Sequence, residues 1–191
     1  MKSFFVSFFL LCLIAIGNAQ NYRSTLSIGL PVSESGQNDW HYPNYDIDFL
    51  LSRKLINNFF IGIGSSYMVE NLVFTEAVKS KIFSVYNAYM YEMKMSEKIK
   101  FLPQVYVGYA FLNGIQNTPE GPERSVNGWL MGSELSTGFV ISQNMELLIS
   151  LGYNRIFANL ELGLGGARHC IIYPPQKINH FVAKIGWELS F

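Results

Sequence analysis

The stretch "KIGWELSF", residues 184–191, alternates without a break between two kinds of side chain. Its large apolar residues are Ile185, Trp187, Leu189 and Phe191, and the residues between them are small, polar or charged. A period of two places successive side chains on opposite faces of a β-strand. The stretch therefore predicts a strand with one apolar and one polar face, in a position where soluble domains often fray.

The same alternation recurs in seven earlier segments, each bounded by turn-type residues. The eight predicted strands span 22–30, 45–54, 59–69, 81–93, 100–111, 128–141, 145–155 and 180–191. Each is about ten residues long, the length that a tilted transmembrane strand needs.

The connections between the predicted strands alternate in length. Turns of a few residues follow the second, fourth and sixth strands, and longer connections follow the first, third, fifth and seventh. The longer connections span 31–44, 70–79, 112–126 and 156–178. This sorting is typical of a membrane barrel with short turns at one end and long loops at the other.

The composition of the 191 residues agrees with a membrane protein of one domain. Charged residues make up only 15% and aromatic residues also 15%, which suits a surface that faces something other than water. The 14 basic and 14 acidic residues balance, so no broad field attracts nucleic acid, and no nucleic-acid partner is expected.

The N-terminal segment has the pattern of a secretory signal peptide. Lys2 precedes the apolar run 4–16, which is too short to span a bilayer, and small residues follow at Gly17 and Ala19. We expect a cleaved signal at 1–19 and a mature barrel domain at 20–191. The mature chain then holds one cysteine, Cys170, so no internal disulfide can form.

The polar faces of the predicted strands carry charges of both signs. Buried charges persist only when they are paired, so we expect an interior ion network. Its predicted members are Arg23, Asp46, Asp48, Glu134, Glu146, Lys184 and Glu188. The first and last strands become neighbours when the barrel closes, which predicts an ion pair between Arg23 and Glu188.

Large aromatic residues lie towards the ends of the apolar faces, as they do at membrane interfaces. The predicted interfacial residues are Tyr22, Tyr45, Phe59, Tyr67, Tyr91, Trp129, Tyr153 and Phe181. An interior of eight strands is filled by side chains, which argues against a diffusion pore.

With these features the chain resembles the small eight-stranded outer-membrane β-barrel proteins of Gram-negative bacteria, of the OmpX and OmpA-barrel type. The "GNAQ" start (17–20) and the short loops resemble those of the Bacteroidetes. The resemblance implies an outer-membrane location, contact with lipid and lipopolysaccharide, and no cofactor. It also implies that Ile185, Trp187, Leu189 and Phe191 form the C-terminal signal read by the barrel-assembly machinery.

Some barrels that resemble this one are lipid-modifying enzymes with characteristic catalytic residues. The deacylase type has a Ser two residues after its His, whereas His180 is followed by Phe181 and Val182. The acyltransferase type uses His, Asp and Ser on external loops, and the first loop offers Ser35, Asp39 and His41. A further pair, His169 and Cys170, has too few ligands for zinc.

These patterns predict an all-β, eight-stranded, antiparallel up-and-down transmembrane barrel that is monomeric and non-enzymatic. Its expected role is structural, or contact with an unknown surface ligand through four external loops. Two alternatives stay open. One is a lipid-modifying enzyme, which needs a His beside Ser or Asp on the lipid face at the outer rim, and the other is a secreted lipocalin-like carrier, which needs an apolar interior.

Overall fold

The computed structural model describes residues 21–33, 45–71, 79–115, 124–158, 161–162, 171–172 and 176–191. The predicted signal peptide, residues 34–44 with Ser35, Asp39 and His41, and the pair His169 and Cys170 lie outside them. Among the described residues, no helix is long and apolar enough to cross a bilayer.

Eight long strands form the wall of the molecule. In chain order they are β1 (Tyr22–Ser33), β2 (Tyr45–Ile56), β3 (Phe59–Asn71), β4 (Lys79–Tyr91), β6 (Ile99–Ile115), β7 (Arg124–Ser142), β8 (Met145–Ala158) and β11 (Gln176–Ser190). Each wall strand pairs with its sequence neighbour in antiparallel fashion, and β1 pairs with β11. The sheet therefore closes on itself, and the predicted fold class is confirmed.

Three short strands accompany the wall. They are β5 (Met93–Lys94), β9 (Glu161–Leu162) and β10 (Ile171–Ile172). β5 continues β4 beyond Glu92 and pairs with the start of β6, whereas β9 and β10 pair with each other. The sequence pattern predicted neither β9 nor β10.

The stagger of the barrel follows from the registers. A path that crosses the strands at right angles starts at Arg23 and returns to β1 at Ser33, ten residues further on. It passes through Ser52, Gly62, Ala88, Tyr106, Gly132, Asn154 and His180. With ordinary strand spacing and rise, a shear of ten over eight strands tilts the strands by about 40° from the barrel axis.

The wall separates two sets of side chains, as the alternation predicts. On β4, exposed residues alternate strictly with buried ones from Lys81 to Met90, and β11 does the same from Phe181 to Leu189. Apolar residues dominate the exposed set, whereas Lys184 and Glu188 of β11 are buried and point into the lumen.

The strands are longer than the sequence pattern predicts. They contain 12 to 19 residues, and most of the added residues lie at the ends that lead into the long connections. Backbone hydrogen bonds between the strands continue there after the alternation of side chains has ended. These bonds need no apolar side-chain face where both faces of the strand are in contact with water. The predicted connections 31–44, 70–79, 112–126 and 156–178 are correspondingly too long.

The turns at the opposite end are short, as predicted. Asn57 and Asn58 join β2 to β3, and Asn57 has a φ of 45°, which Asn tolerates better than most residues. Residues 95–98 join β5 to β6, and Gln143 and Asn144 join β7 to β8. These three connections define the turn end of the barrel, and the opposite end is the loop end.

Candidate functional site: a filled lumen and a banded exterior

Halfway along the lumen, one lysine contacts three carboxylates. The Nζ of Lys184 lies 2.8 Å from Asp48 Oδ2, 3.0 Å from Glu134 Oε2 and 3.4 Å from Asp46 Oδ2. We call these four residues the mid-lumen network. They belong to β11, β2 and β7, so the network links widely separated parts of the wall.

Two tyrosines enclose this network. The hydroxyl of Tyr86 donates a hydrogen bond to Asp48, and that of Tyr106 donates one to Asn154. Their ring centroids are 5.0 Å apart.

The rings of these tyrosines depend on two glycines. The Tyr86 ring occupies the space where Gly64 would carry a Cβ, and the Tyr106 ring does the same at Gly132. The polar faces therefore carry glycine at these positions because a large ring from another strand needs the room.

A second network lies at the turn end of the lumen. Arg23 pairs with Glu92, and its Nη1 lies 3.2 Å from Glu188 Oε1. Lys100 pairs with Glu146 and lies 3.7 Å from Glu92.

Lys94 adds a more distant contact to this second network. Its Nζ lies 3.9 Å from Glu92 Oε1, although the lysine itself is largely exposed. We call the six residues the rim network; they are Arg23, Glu92, Lys94, Lys100, Glu146 and Glu188. Arg23 also stacks on Phe60, with 3.9 Å from its guanidinium carbon to the ring centroid.

Glu92 follows the last residue of β4 and lies outside the wall strands. Its backbone N–H donates to the carbonyl of Asn58 in the first short turn, at 2.8 Å. Burial raises the pKa of its carboxyl, but the hydrogen bond and charge of Arg23, with help from Lys100, outweigh that effect, so the pKa lies below its usual value.

The loop-end half of the lumen is apolar. Eight buried side chains from six strands fill it: Met68, Ile82, Ala110, Leu112, Leu130, Ile156, Ile178 and Val182. His180 is fully buried beside Val182 on the same inward face of β11. The lumen thus has a charged turn end, a charged middle and an apolar loop-end layer.

Little free space separates the two networks. A cavity of about 20 Å³ is lined by residues such as Ser27, Ser136 and Glu188. That volume holds about one water molecule.

The exterior has an aliphatic band between two groups of aromatic side chains. The predicted interfacial aromatics all point outward, and they divide by position in their strands. Tyr22, Phe59 and Tyr91 lie at the turn end, whereas Tyr45, Tyr67, Trp129, Tyr153 and Phe181 lie towards the loop end. Several of them touch: the ring centroids of Tyr153 and Phe181 are 5.0 Å apart, and those of Tyr45 and Tyr67 are 6.4 Å apart.

The residues of the opening stretch also point outward. Ile185, Trp187, Leu189 and Phe191 are each 42–47% exposed, and the inward residues that alternate with them along the strand include Lys184 and Glu188. The backbone N–H of Phe191 donates to the carbonyl of Tyr22 at 2.9 Å, which closes the seam between β11 and β1 at the turn end.

All seven side chains of the predicted ion network lie in the lumen, divided between the two networks. The prediction omitted Glu92, Lys94 and Lys100. Neighbouring residues of a strand point to opposite faces. Glu92 lies between the outward residues Tyr91 and Met93, and Lys100 directly precedes the outward Phe101. The sequence could therefore have placed Glu92 and Lys100 in the lumen.

The residues considered for catalysis show no assembled site within the described ranges. His180 points into the lumen rather than towards the lipid face. In the same ranges, no group of three or more His, Cys, Asp or Glu side chains could hold a metal ion.

The fold is similar to that of several solved structures. Neisserial surface protein A aligns over 91% of this chain and 98% of its own, with 10% identity and a TM-score of 0.63. A major outer membrane protein from Thermus thermophilus aligns over 88% and 99%, with 9% identity and a TM-score of 0.54. The N-terminal β-barrel domain of OprF from Pseudomonas aeruginosa aligns over 90% and 98%, with 12% identity and a TM-score of 0.50.

At these identities the similarity establishes the fold alone. It confirms that the chain has the architecture of the small outer-membrane barrels that its sequence resembles. No protein-family model matches the sequence, and no curated protein matches it.

Proposed function

We propose that this protein is a non-enzymatic barrel of the bacterial outer membrane that holds four loops at the cell surface for a structural or contact role. The observation that carries the proposal is the distribution of polarity across the wall. The exterior is apolar and the lumen is charged, which is the reverse of a soluble barrel.

The exterior explains the need for lipid. Leu151, Leu30 and Trp129 are 69%, 65% and 62% exposed, and similar residues surround the whole barrel. Soluble monomers rarely expose one continuous apolar patch beyond a few hundred Å². A continuous apolar band between two aromatic belts suits a bilayer, where every backbone group of a closed barrel is already paired.

The lumen argues against a carrier and against a pore. A lipocalin-like carrier needs an apolar cavity, whereas the middle of this lumen is occupied by Lys184 and its three carboxylates. A pore needs a continuous aqueous path, whereas the two networks and the apolar layer fill the described lumen. We therefore propose that the four long connections, rather than the lumen, carry the activity.

The enzyme alternative loses one of its candidates. His180 is fully buried in the lumen, where a lipid substrate in the bilayer cannot meet it. The acyltransferase-like residues Ser35, Asp39 and His41 lie outside the described residues, so no observation favours them.

Assembly through the barrel-assembly machinery remains part of the proposal. Phe191 is half exposed and closes the seam with Tyr22 through backbone bonds that any residue could make. Substitution of Phe191 by Ala should therefore impair insertion in cells far more than it lowers the stability of refolded protein.

The test combines location with conductance. The full chain is expressed in a Gram-negative host, the membranes are separated by density, and extracts are run with and without boiling. We expect outer-membrane fractions, a change of migration on boiling, and no steady conductance in planar bilayers. Recovery in the soluble fraction without detergent would overturn the membrane assignment, and stable open channels would overturn the filled-lumen argument.

A further inference from the structure

The exterior carries a shallow groove that the proposed function does not use. Its volume is about 790 Å³, within the range of about 300–1,000 Å³ that small-molecule sites occupy. Its lining is almost wholly apolar. The groove therefore differs from the flat lipid-facing surface expected of a barrel wall.

The registers explain the course of the groove. Two adjacent rows of outward side chains cross the strands from β1 towards β4, and the groove runs between them. The first row begins Leu30, Ala183, Leu151 and Leu135. The second row begins Phe181, Tyr153, Ser133 and Val105. The small side chains Ala183 and Ser133 lie among larger neighbours and create the depression.

The positively charged side chain of Arg155 lies next to the end of this groove that faces the loop end of the barrel. Arg155 lies two residues beyond Tyr153 on β8, on the same outward face and opposite Asn179. Its Nε donates to Asn179 Oδ1 at 2.8 Å, and its Nη2 donates to the Tyr153 hydroxyl at 3.0 Å. The guanidinium carbon lies 5.8 Å from the Tyr153 ring centroid.

This arrangement holds the guanidinium at the boundary between the aliphatic band and the loop end. The partners of Arg155 in these hydrogen bonds, Asn179 and Tyr153, are neutral, so these contacts leave its positive charge without a carboxylate. Arginine binds phosphate oxygens with two parallel hydrogen bonds, and such charge-assisted bonds are about twice as strong as neutral ones. The end of the groove thus offers phosphate recognition, and the groove itself offers apolar burial.

We propose that Arg155 and the groove below it form a binding site for a phosphate-bearing glycolipid of the loop-side leaflet. The phosphate binds Arg155, and an acyl chain lies in the groove between Tyr153, Phe181 and Ala183. The inference rests on the proposed outer-membrane location, because only there does the loop-side leaflet contain such a lipid.

The test uses the full chain refolded in detergent, with native mass spectrometry and diphosphorylated lipid A as the probe. Arg155→Gln should weaken lipid A binding about tenfold, since a charged contact to the phosphate is lost. Ala183→Phe should weaken it by a similar factor, because the ring fills the groove without changing any charge. Both positions face outward, and boiling-dependent migration checks that each variant is folded.

The matched control is Arg53→Gln. Arg53 also lies over an outward tyrosine, with 5.5 Å from its guanidinium carbon to the Tyr22 ring centroid, but at the turn end and away from the groove. This variant should bind lipid A within about twofold of the parent, a change below what one lost charged contact produces.

Four results would overturn the inference. Equal losses in Arg155→Gln and Arg53→Gln would show general charge attraction, and unchanged binding in Ala183→Phe would show an empty groove. Phosphatidylglycerol binding as tightly as lipid A, or full competition by inorganic phosphate, would show that the glycolipid is not the ligand. If the protein fractionates with the outer membrane but gives any of these results, the lipid site is refuted and the proposed function is not.

Discussion

The mid-lumen network and the rim network each contain three carboxylates, but they differ in their cations. In the mid-lumen network, Lys184 is the one cation among the described ion pairs, and all three carboxylates depend on it. In the rim network, Arg23, Lys94 and Lys100 share the carboxylates, and Glu92 contacts all three cations.

Because of this difference, the barrel is more vulnerable at the mid-lumen network than at the rim network. When a network with several cations loses one of them, the remaining cations still neutralise most of its carboxylates. When a network with a single cation loses it, several buried carboxylates become unpaired at once. Removing one partner of a buried ion pair typically costs about 3–5 kcal/mol, because the other charge stays buried without compensation. The two networks should therefore respond unequally to the same kind of substitution.

The largest effect is expected for Lys184→Met. Asp46, Asp48 and Glu134 would lose their shared cation in the middle of the lumen, so the free energy of unfolding should fall by about 3–5 kcal/mol or more. Urea unfolding in lipid vesicles measures it. The triple variant with Asp48→Asn and Glu134→Gln should regain part of the loss, and a loss below about 1 kcal/mol, as for a surface pair, would contradict the single-hub description.

A smaller loss is expected for Arg23→Met. Glu92 would keep Lys94 and Lys100, and the buried Glu188 alone would lose its cation, so we expect a loss of about 3 kcal/mol, the lower end of the range for one broken buried pair. Arg23→Lys, which keeps the charge, should recover part of it in the same unfolding experiment. A loss equal to that of Lys184→Met would show that the rim network is not redundant.

The smallest effect concerns the acidity of Glu92. Because the pKa of Glu92 is lowered in the folded protein, its contribution to stability is complete above its ordinary pKa of 4.5 and is lost as the pH falls further through the lowered value. Glu92→Gln removes the titrating group. The stability advantage of the parent over this variant should therefore be constant between pH 7 and pH 5 and should shrink below pH 4.5. An advantage that grows on acidification would mean that the pKa of Glu92 is raised, not lowered, in the folded protein.

The sequence predicted the wall of the barrel well and the ends of its strands poorly. Alternation is a strong signal from Lys184 to Phe191, because the two faces of the wall demand opposite polarity there. Beyond the aromatic belts this demand ends, so the extensions of β6 and β7 towards Ile115 and Arg124 left no pattern to read. The pair β9 and β10 is too short to produce any periodicity.

The charged lumen could be predicted as a set but not as two networks. Parity alone places Arg23, Glu146 and Lys184 inside. Which carboxylate meets which cation depends on the stagger of ten residues. This stagger brings Glu92, which follows β4, to Arg23 on β1. A single sequence shows the faces of each strand but not the registers between strands, so the division into rim and middle required the structure. The sequence did not single out Arg155, because charged residues were expected on the lumen face of the strands and not on the outward face.

The seam between β1 and β11 also determines when the molecule can become complete. It joins Arg23 to Ser190 and Tyr22 to Phe191, so the closing pairs are among the most distant in the chain. Contacts of such long separation incur the greatest loop-closure entropy and form late, and folds that depend on them fold slowly. Until that moment both edges present unpaired backbone groups, which lipid cannot satisfy. The long separation of this seam therefore predicts that its closure is the slow step of folding, and that the open sheet needs shelter until β1 and β11 have paired.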